Sequence, residues 1–185
     1  MIDFTVSFIA NQLTEYLEKY SNNVDVEGGN IAEIDGGIGE KVIITLVNIE
    51  EEHTLTNQKY TKKINNQLIK KEPPITLNLY FLISFGVKNY QNKLFQMTKT
   101  LEFFQINKLF TPNSHPDLKA QGIEKLVFKL FTMDMEQLND LWGMLGGKFY
   151  PSLFYKVRLV EIEAKQSDGL GIPIEEIEVD AKLKE

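Results

Sequence analysis

The chain has 185 residues, of which 43% are hydrophobic and 25% charged, and its formal net charge is −6. This composition predicts one globular domain with a buried core, and it excludes a disordered or low-complexity protein. The absence of cysteine excludes disulfides and thiolate chemistry, and the acidic balance argues against a general nucleic-acid partner.

The N-terminal region lacks the basic and apolar pattern of a secretory signal. No apolar run approaches the length of about 18 residues that a membrane-spanning helix needs. We therefore expect a soluble protein that is made in the cytoplasm and has no membrane partner.

The first half of the chain predicts one helix followed by strands. Apolar side chains in Phe4–Tyr20 have the spacing of an amphipathic helix. A glycine-rich stretch follows, and Val24–Glu27 inside this region is compatible with a short strand. Lys41–Glu50 is rich in β-branched residues and predicts a strand that is buried on both faces.

The second half of the chain predicts a strand, a helix and a further strand. Ile75–Phe85 alternates with period two, which is typical of a strand. Val87–Asn107 predicts a helix, because Tyr90, Leu94, Met97, Leu101 and Phe104 recur at helical spacing. Ile123–Phe131 then predicts another strand.

The last elements carry recognisable boundary signals. Asp134 and Gln137 have the spacing of a capping box, which predicts a short helix that ends at Gly146–Gly147. Leu153–Ile162 predicts the last strong strand, and Ile174–Val179 is compatible with a further acidic edge strand.

These elements predict an α+β fold, with a mixed, largely antiparallel sheet of four to six strands packed by two or three helices. No internal repeat or interdomain linker interrupts the pattern. We expect a single domain over residues 1–164 and an acidic C-terminal tail or edge strand over residues 165–185.

Charge is distributed unevenly along the chain. The lysine loop, Gln58–Glu72, carries five lysines against one glutamate, whereas Glu161–Glu185 carries eight acidic residues against three lysines. A solvated hairpin tip is the simplest interpretation of the loop. The alternative is that the lysine loop meets the acidic tail of a neighbouring copy, with Ile174–Val179 adding to a neighbour's sheet edge. The residues concerned are Lys59, Lys62, Lys63, Lys70, Lys71, Glu175, Glu176 and Glu178.

The sequence offers little material for catalysis. His53 and His115 are far apart and are expected at the surface, so neither a metal site nor a catalytic triad is predicted. The run Glu50–Glu52 is typical of a solvated strand end. Gly146-Gly147-Lys148 lacks the other residues of a phosphate loop. We therefore predict no catalytic residue, no metal and no cofactor.

Two blocks of sequence resemble the cap or tail-terminator proteins of bacterial contractile injection systems. One block runs from Leu138 through Trp142 and the turn Leu145–Ser152 to Tyr155–Val160. The other contains Pro73-Pro74-Ile75, Leu77–Ile83, Tyr90, Phe103-Phe104 and Phe110-Thr111-Pro112. The resemblance extends in order from about Ile2 to Ile162.

The resemblance implies a structural subunit that forms a ring, expected to be a hexamer, on the distal end of the inner tube. Such a cap ends tube growth and contacts the last ring of sheath, so the implied partners are further copies, the tube protein and the sheath protein. It implies no catalysis and no cofactor, and assembly into the particle after synthesis in the bacterial cytoplasm.

The turn after the last helix supplies the other candidate interface residues. Its glycines permit a tight backbone, and its aromatic side chains are suited to anchoring a partner. The simpler interpretation is that these side chains pack the turn onto the sheet. The residues are Trp142, Gly146, Gly147, Lys148, Phe149 and Tyr150.

Two other functions stay open from the sequence. One is a sheath-terminating or baseplate adaptor in the same kind of particle. The other is a small-ligand or nucleotide-binding module that uses the glycine-rich segment from Gly28 to Gly39.

Overall fold

The computed structural model describes residues 1–22, 24–34, 37–52, 61–64, 67–70 and 76–160. The helices in these residues are α1 (Ile2–Leu17), α2 (Tyr90–Ile106), α3 (Asp117–Ala120) and α4 (Met135–Met144), and a 3-10 helix spans Ile31–Glu33. The strands are β1 (Asp25–Gly28), β2 (Lys41–Glu51), β3 (Thr61–Ile64), β4 (Gln67–Lys70), β5 (Thr76–Phe85), β6 (Leu109–Phe110), β7 (Lys125–Leu130) and β8 (Ser152–Val160).

Six strands form one sheet in the order β1-β2-β5-β8-β7-β6. Only β1 and β2 run parallel, and every other neighbouring pair is antiparallel. The backbone of the lysine loop forms a separate antiparallel hairpin of β3 and β4, in which Lys63 pairs with Leu68. The predicted α+β fold with a mixed, largely antiparallel sheet is confirmed.

One face of the sheet packs against α1, α2 and α3. Alternate residues of β5, among them Leu79, Phe81 and Ile83, are buried on this face because the pleat directs every second side chain to the same side. The amphipathic stripe of α1 lies against them through Phe8 and Leu13. This is the larger of two hydrophobic clusters in the described residues.

The opposite face of the sheet is covered by the 3-10 helix, the glycine-rich segment and α4. Ile31, Ile38 and Trp142 pack here against Ile43 and Leu82. The covering elements are short, so part of this second face carries polar and charged side chains.

Strand β2 corrects one prediction, because it is buried on both faces only between Val42 and Thr45. From Asn48 onward its residues are exposed. The register with β5 shifts between Leu46 and Asn48. Because one extra residue reverses the alternation, Glu50 lies on the second face of the sheet, together with Tyr80.

Helix α2 forms where it was predicted, but only part of the apolar stripe seen in the sequence is buried, namely Phe104 and, in part, Met97. Tyr90 is 65% exposed and Leu94 is 43% exposed, whereas Gln96 and Thr100 are buried. The Thr100 hydroxyl donates a hydrogen bond to the Gln96 carbonyl oxygen at 2.8 Å, which lets it sit in the core at little cost.

No helix in the described parts of the chain is both long and apolar enough to cross a membrane. The predicted edge strand Ile174–Val179 lies outside the described residues, as do Ile75 and Ile162 at the ends of two predicted strands.

Candidate functional site

Helix α4 begins at a capping box and is followed by two glycines with positive φ. Asp134 Oδ1 accepts from the Gln137 amide at 2.8 Å, and Gln137 Oε1 accepts from the Asp134 amide at 3.2 Å. Gly146 and Gly147 then adopt φ values of 94° and 74°, which side chains other than glycine rarely adopt. The predicted capping box and glycine stop are both confirmed.

The turn after α4 folds back over the helix. The Gly147 amide donates to the Trp142 carbonyl oxygen at 2.7 Å. The Trp142 ring lies 5.5 Å from the Phe149 ring and 6.2 Å from the Tyr150 ring, measured between centroids. Trp142 is only 5% exposed, so in the isolated chain it is a core residue that fastens α4 to the sheet.

The glycine-rich segment lies directly under this turn. A Cβ atom added at Gly37 would stand 2.8 Å from both Lys148 Nζ and Tyr150 Oη. Lys148 Nζ also lies 5.5 Å from the centre of the Tyr150 ring. The glycine therefore permits close packing between two loops, and this geometry does not resemble a phosphate cradle.

Phe149, in this turn, is 61% exposed. Met144, at the end of α4, is 77% exposed. Exposed aromatic and thioether side chains are typical of protein-binding surfaces.

Met144 also lines a groove of about 470 Å³. It lies between the C-terminal end of α4 and the second half of β2. Its lining residues are Val6, Gly29, Asn30, Ile44, Thr45, Leu46, Val47, Leu141, Met144 and Leu145. We call Phe149 and this lining the α4 surface. Sequence reasoning missed the groove, because its lining comes from four separate segments.

The outer edge of β2 is open along this groove. Strand β1 pairs only with Lys41–Ile44, and the Thr45 hydroxyl then donates to the Gly29 carbonyl oxygen at 2.7 Å. In the part of the chain that the structure describes, no strand flanks the outer side of β2 beyond Thr45. This edge can therefore accept an added strand, although Glu50 and Glu51 place negative charge on it.

A second apolar surface lies on α2. The outward side of α2 exposes Tyr90, Leu94, Phe95 and Leu101, which we call the α2 surface. The α2 surface and the α4 surface share no residue, so they are two different surfaces of the chain.

The second face of the sheet also carries a network of hydrogen bonds. Tyr80 Oη donates to Glu50 Oε2 at 2.6 Å, and burial together with this hydrogen bond raises the pKa of Tyr80 to about 12. Glu52 Oε2 accepts from Asn78 Nδ2 at 3.1 Å and from Arg158 Nη2 at 3.0 Å. Glu50 and Glu51 are exposed, as predicted for a solvated strand end, whereas Glu52 is half-buried; Glu50 and Glu52 also hold structural hydrogen bonds.

His53 lies outside the described residues, and His115 has no catalytic neighbour among them. His115 is half-buried, which corrects its expected surface position, and it packs between the rings of Phe8 and Phe110. Its Nε2 lies 3.2 Å from Gln12 Oε1. Among the described residues, no group of three or more histidine or carboxylate side chains is arranged to hold a metal ion.

Several predicted interface residues lie outside the described residues, namely Lys59, Lys71, Glu175, Glu176 and Glu178. Lys62 and Lys63 belong to β3 and Lys70 to β4. The structure therefore brings together only the α4-turn group, from Trp142 to Tyr150.

The chain was compared with known proteins. A family model described as the Pvc16 N-terminal domain matches residues 6–176. No curated protein matches the chain. Two solved structures are similar to it in fold.

The first is the sheath/tube terminator, in the extended state, of an extracellular contractile injection system, PVC. It has a TM-score of 0.62 and 16% identity, and the match covers 100% of this chain and 65% of that one. The second is the tube-terminating cap of the anti-feeding prophage, with a TM-score of 0.60, 14% identity, and 91% and 58% coverage. The chain thus spans less than two thirds of either structure. The family match over residues 6–176 shows that the chain belongs to the Pvc16 N-terminal domain family.

Proposed function

We propose that this chain is a structural cap of a contractile injection system. It forms a ring on the distal end of the inner tube, ends tube polymerisation and contacts the last ring of sheath. The observation that carries this proposal is its membership of the Pvc16 N-terminal domain family, joined to a fold shared with a sheath/tube terminator and a tube-terminating cap.

The two apolar surfaces support a ring. A ring of identical subunits needs two different complementary surfaces on each subunit, because the contact is head-to-tail. The α2 surface and the α4 surface are two such different surfaces, because they share no residue. We propose that they meet between neighbouring copies in a hexamer.

Within the α4 surface, we propose Phe149 as the anchor, with Trp142, Gly146, Gly147, Lys148 and Tyr150 holding it in place. Phe149 is the exposed ring of the turn, whereas Trp142 is buried beneath it. Contacts of the lysine loop with an acidic surface of the neighbouring copy are a further part of the proposal.

We propose that the chain has no catalytic activity and takes no cofactor. The carboxylates that the described structure brings together, Glu50 and Glu52, are occupied by hydrogen bonds to Tyr80, Asn78 and Arg158. The protein is made in the bacterial cytoplasm and acts only as part of the assembled particle.

Deletion of the gene in the source bacterium tests the cap function directly. The measurement is the distribution of tube and sheath lengths in negative-stain electron micrographs of lysates. We expect over-long, variable tubes or a loss of sheathed particles, and restoration of normal particles by the wild-type gene. Particles of normal number and length in the deletion strain would contradict the proposal.

The same deletion experiment distinguishes a cap from a baseplate adaptor and from a sheath terminator. A baseplate adaptor would leave tubes without baseplates, whereas a cap affects the opposite end. A sheath terminator without tube contact would alter sheath length alone.

The ligand-binding alternative has one observation in its favour, since the groove touches Gly29 and Asn30. Thermal unfolding with a panel of nucleotides distinguishes it. We expect no shift of the melting temperature, because no lysine or arginine lines the groove to hold a phosphate.

A further inference from the structure

Four cationic side chains share the second face of β7 and β8. They are Lys125, Lys129, Lys156 and Arg158, and we call them the β7–β8 basic face. They point away from α1 and α2, because the residues that alternate with them, such as Phe128 and Val157, are buried in the larger cluster.

Two of these cations stand directly opposite each other. Lys129 is the register partner of Lys156. Like charges at this spacing destabilise a sheet unless something neutralises them. In the described residues, only Arg158 among the four has a carboxylate within 4.0 Å, that of Glu52 at 3.0 Å. Among the described residues, neither Lys129 nor Lys156 therefore forms a salt bridge.

Aromatic side chains border the same face. Lys156 Nζ lies 5.5 Å from the centre of the Tyr80 ring. The Phe131 ring contacts both Tyr80 and Phe154 edge-on, each at 5.5 Å between centroids, and remains partly exposed. A surface that combines cations with aromatic rings is suited to a peptide in which acidic and apolar side chains are interspersed.

We propose that the acidic tail of the same chain, residues 165–185, docks on the β7–β8 basic face. The tail contains the run Ile174-Glu175-Glu176-Ile177-Glu178-Val179-Asp180, which mixes acidic and apolar residues and has no lysine. Its charge complements that of the two lysines, and its isoleucines complement the aromatic border.

The position at which the tail begins favours this assignment. The backbone leaves β8 at Val160, which is the register partner of Lys125 at one end of the basic face. The 25 residues from Glu161 to Glu185 reach up to about 80 Å when extended, far more than the length of β8. Gly169 and Gly171 favour a turn that returns the chain over the face.

The other possible partners of the tail are less suitable. The open edge of β2 carries Glu50 and Glu51, which repel it. A tail attached to the same chain also has an effective concentration of about millimolar, above that of a separate copy in dilute solution.

Zero-length carbodiimide cross-linking of the purified full chain at micromolar concentration tests the contact. We expect links between Lys129 or Lys156 and the carboxylates from Glu175 to Asp180, in the monomer band at low salt. At 0.5 M NaCl these links should be lost. Tail links to the lysine loop instead, links confined to a dimer band, or no tail links at all would overturn the proposal.

Reversing the charges of Lys129 and Lys156 gives a second, independent test of the contact. In Lys129→Glu/Lys156→Glu, a glutamate-specific protease should cut the tail after Glu176 about fivefold faster than in the wild type. This change keeps a like-charged pair, so the sheet itself is little affected. Adding Glu175→Lys/Glu178→Lys to this variant should restore the slow cleavage rate, because the charges of the tail and of the β7–β8 basic face are then both reversed.

The matched control is Lys93→Glu/Lys119→Glu, which makes the same change of charge on α2 and α3, across the sheet. It should leave the cleavage rate unchanged. Equal acceleration in the control, or none in the Lys129/Lys156 variant, would overturn the proposal. Near-ultraviolet circular dichroism checks folding, and Lys129→Gln/Lys156→Gln replaces the reversal if that variant unfolds. These tests use the isolated chain, so they stand whether or not the chain caps a tube.

Discussion

Two tyrosines on neighbouring strands show how individual residues are fixed by their surroundings. Tyr155 faces the larger cluster, where its ring lies 4.5 Å from that of Phe104, and burial raises its pKa to about 12. Tyr80 faces the opposite side and binds Glu50. Both phenols keep their protons at neutral pH, which suits structural residues better than acid–base catalysts.

Because the pKa of Tyr155 is raised, we predict that the protein loses stability at alkaline pH. An unfolded tyrosine titrates near pH 10. Between about pH 10 and 12 the unfolded chain releases this proton while the folded chain retains it, so the free energy of unfolding falls as the pH rises. The contribution of Tyr155 is intact below pH 10, and about 2 kcal/mol is lost by pH 12.

Urea unfolding at pH 8 and pH 11 measures the effect. Tyr155→Phe should lose less stability than the wild type between these two values, because phenylalanine has no proton to release. If both proteins lose the same amount, burial does not hold the Tyr155 proton.

At the scale of one element, α4 and its turn combine two opposite environments. Trp142 is buried between the helix and the sheet, whereas Phe149, whose ring is in contact with it, faces solvent. Trp142 packs the turn onto the core, whereas Phe149 is exposed on the surface of the turn.

Alanine substitutions should separate these two roles. Trp142→Ala is expected to lower the free energy of unfolding by about 3–5 kcal/mol, because a large buried ring leaves a cavity. Phe149→Ala should cost less than about 1 kcal/mol in the isolated chain and instead weaken assembly. Urea unfolding followed by circular dichroism measures stability, since Trp142 is the only tryptophan. Equal losses in both variants would make Phe149 a packing residue only.

Strand β2 shows what a single extra residue does to an element. The shift between Leu46 and Asn48 places Glu50 on the same face as Tyr80. Without it, the alternation that buries Ile44 and Leu46 would direct Glu50 toward the hydrophobic cluster. The network on the second face therefore depends on this bulge.

At the scale of the whole molecule, the two faces of the sheet differ in how completely they are covered. Three helices close the first face, while short elements cover only part of the second. The α2 surface and the α4 surface are two different apolar surfaces, and their contact between neighbouring copies would be head-to-tail.

Mixing two defective variants tests this geometry. Phe149→Asp removes the α4 surface and Leu94→Asp removes the α2 surface, so neither variant should form rings alone. Their equimolar mixture retains one good contact per pair and should give dimers that cannot close. Mass photometry and negative-stain images of tube ends measure the species.

The control is Met135→Asp, which adds the same charge at another exposed apolar position of α4 and should assemble normally. Dimers formed by either variant alone would show that each surface contacts its own copy. Such a result would contradict the head-to-tail arrangement.

Most elements could be predicted from the sequence, because their signals are local. The stripe of α1, the capping box of α4, the Gly146–Gly147 stop and the alternation of β5 each depend on residues a few positions apart. Helix and strand periodicity follows from backbone geometry, so such spacing is visible before any tertiary contact is known. The α+β class followed from the order of these elements.

The sequence by itself therefore determined the elements, the fold class and the family resemblance. Only the tertiary structure decided that Gln96 and Thr100 of α2 are buried while Tyr90 and Leu94 are exposed. The same holds for the groove at the end of α4 and for the facing pair of Lys129 and Lys156. These features join residues far apart in the chain, and strand register and helix packing bring them together.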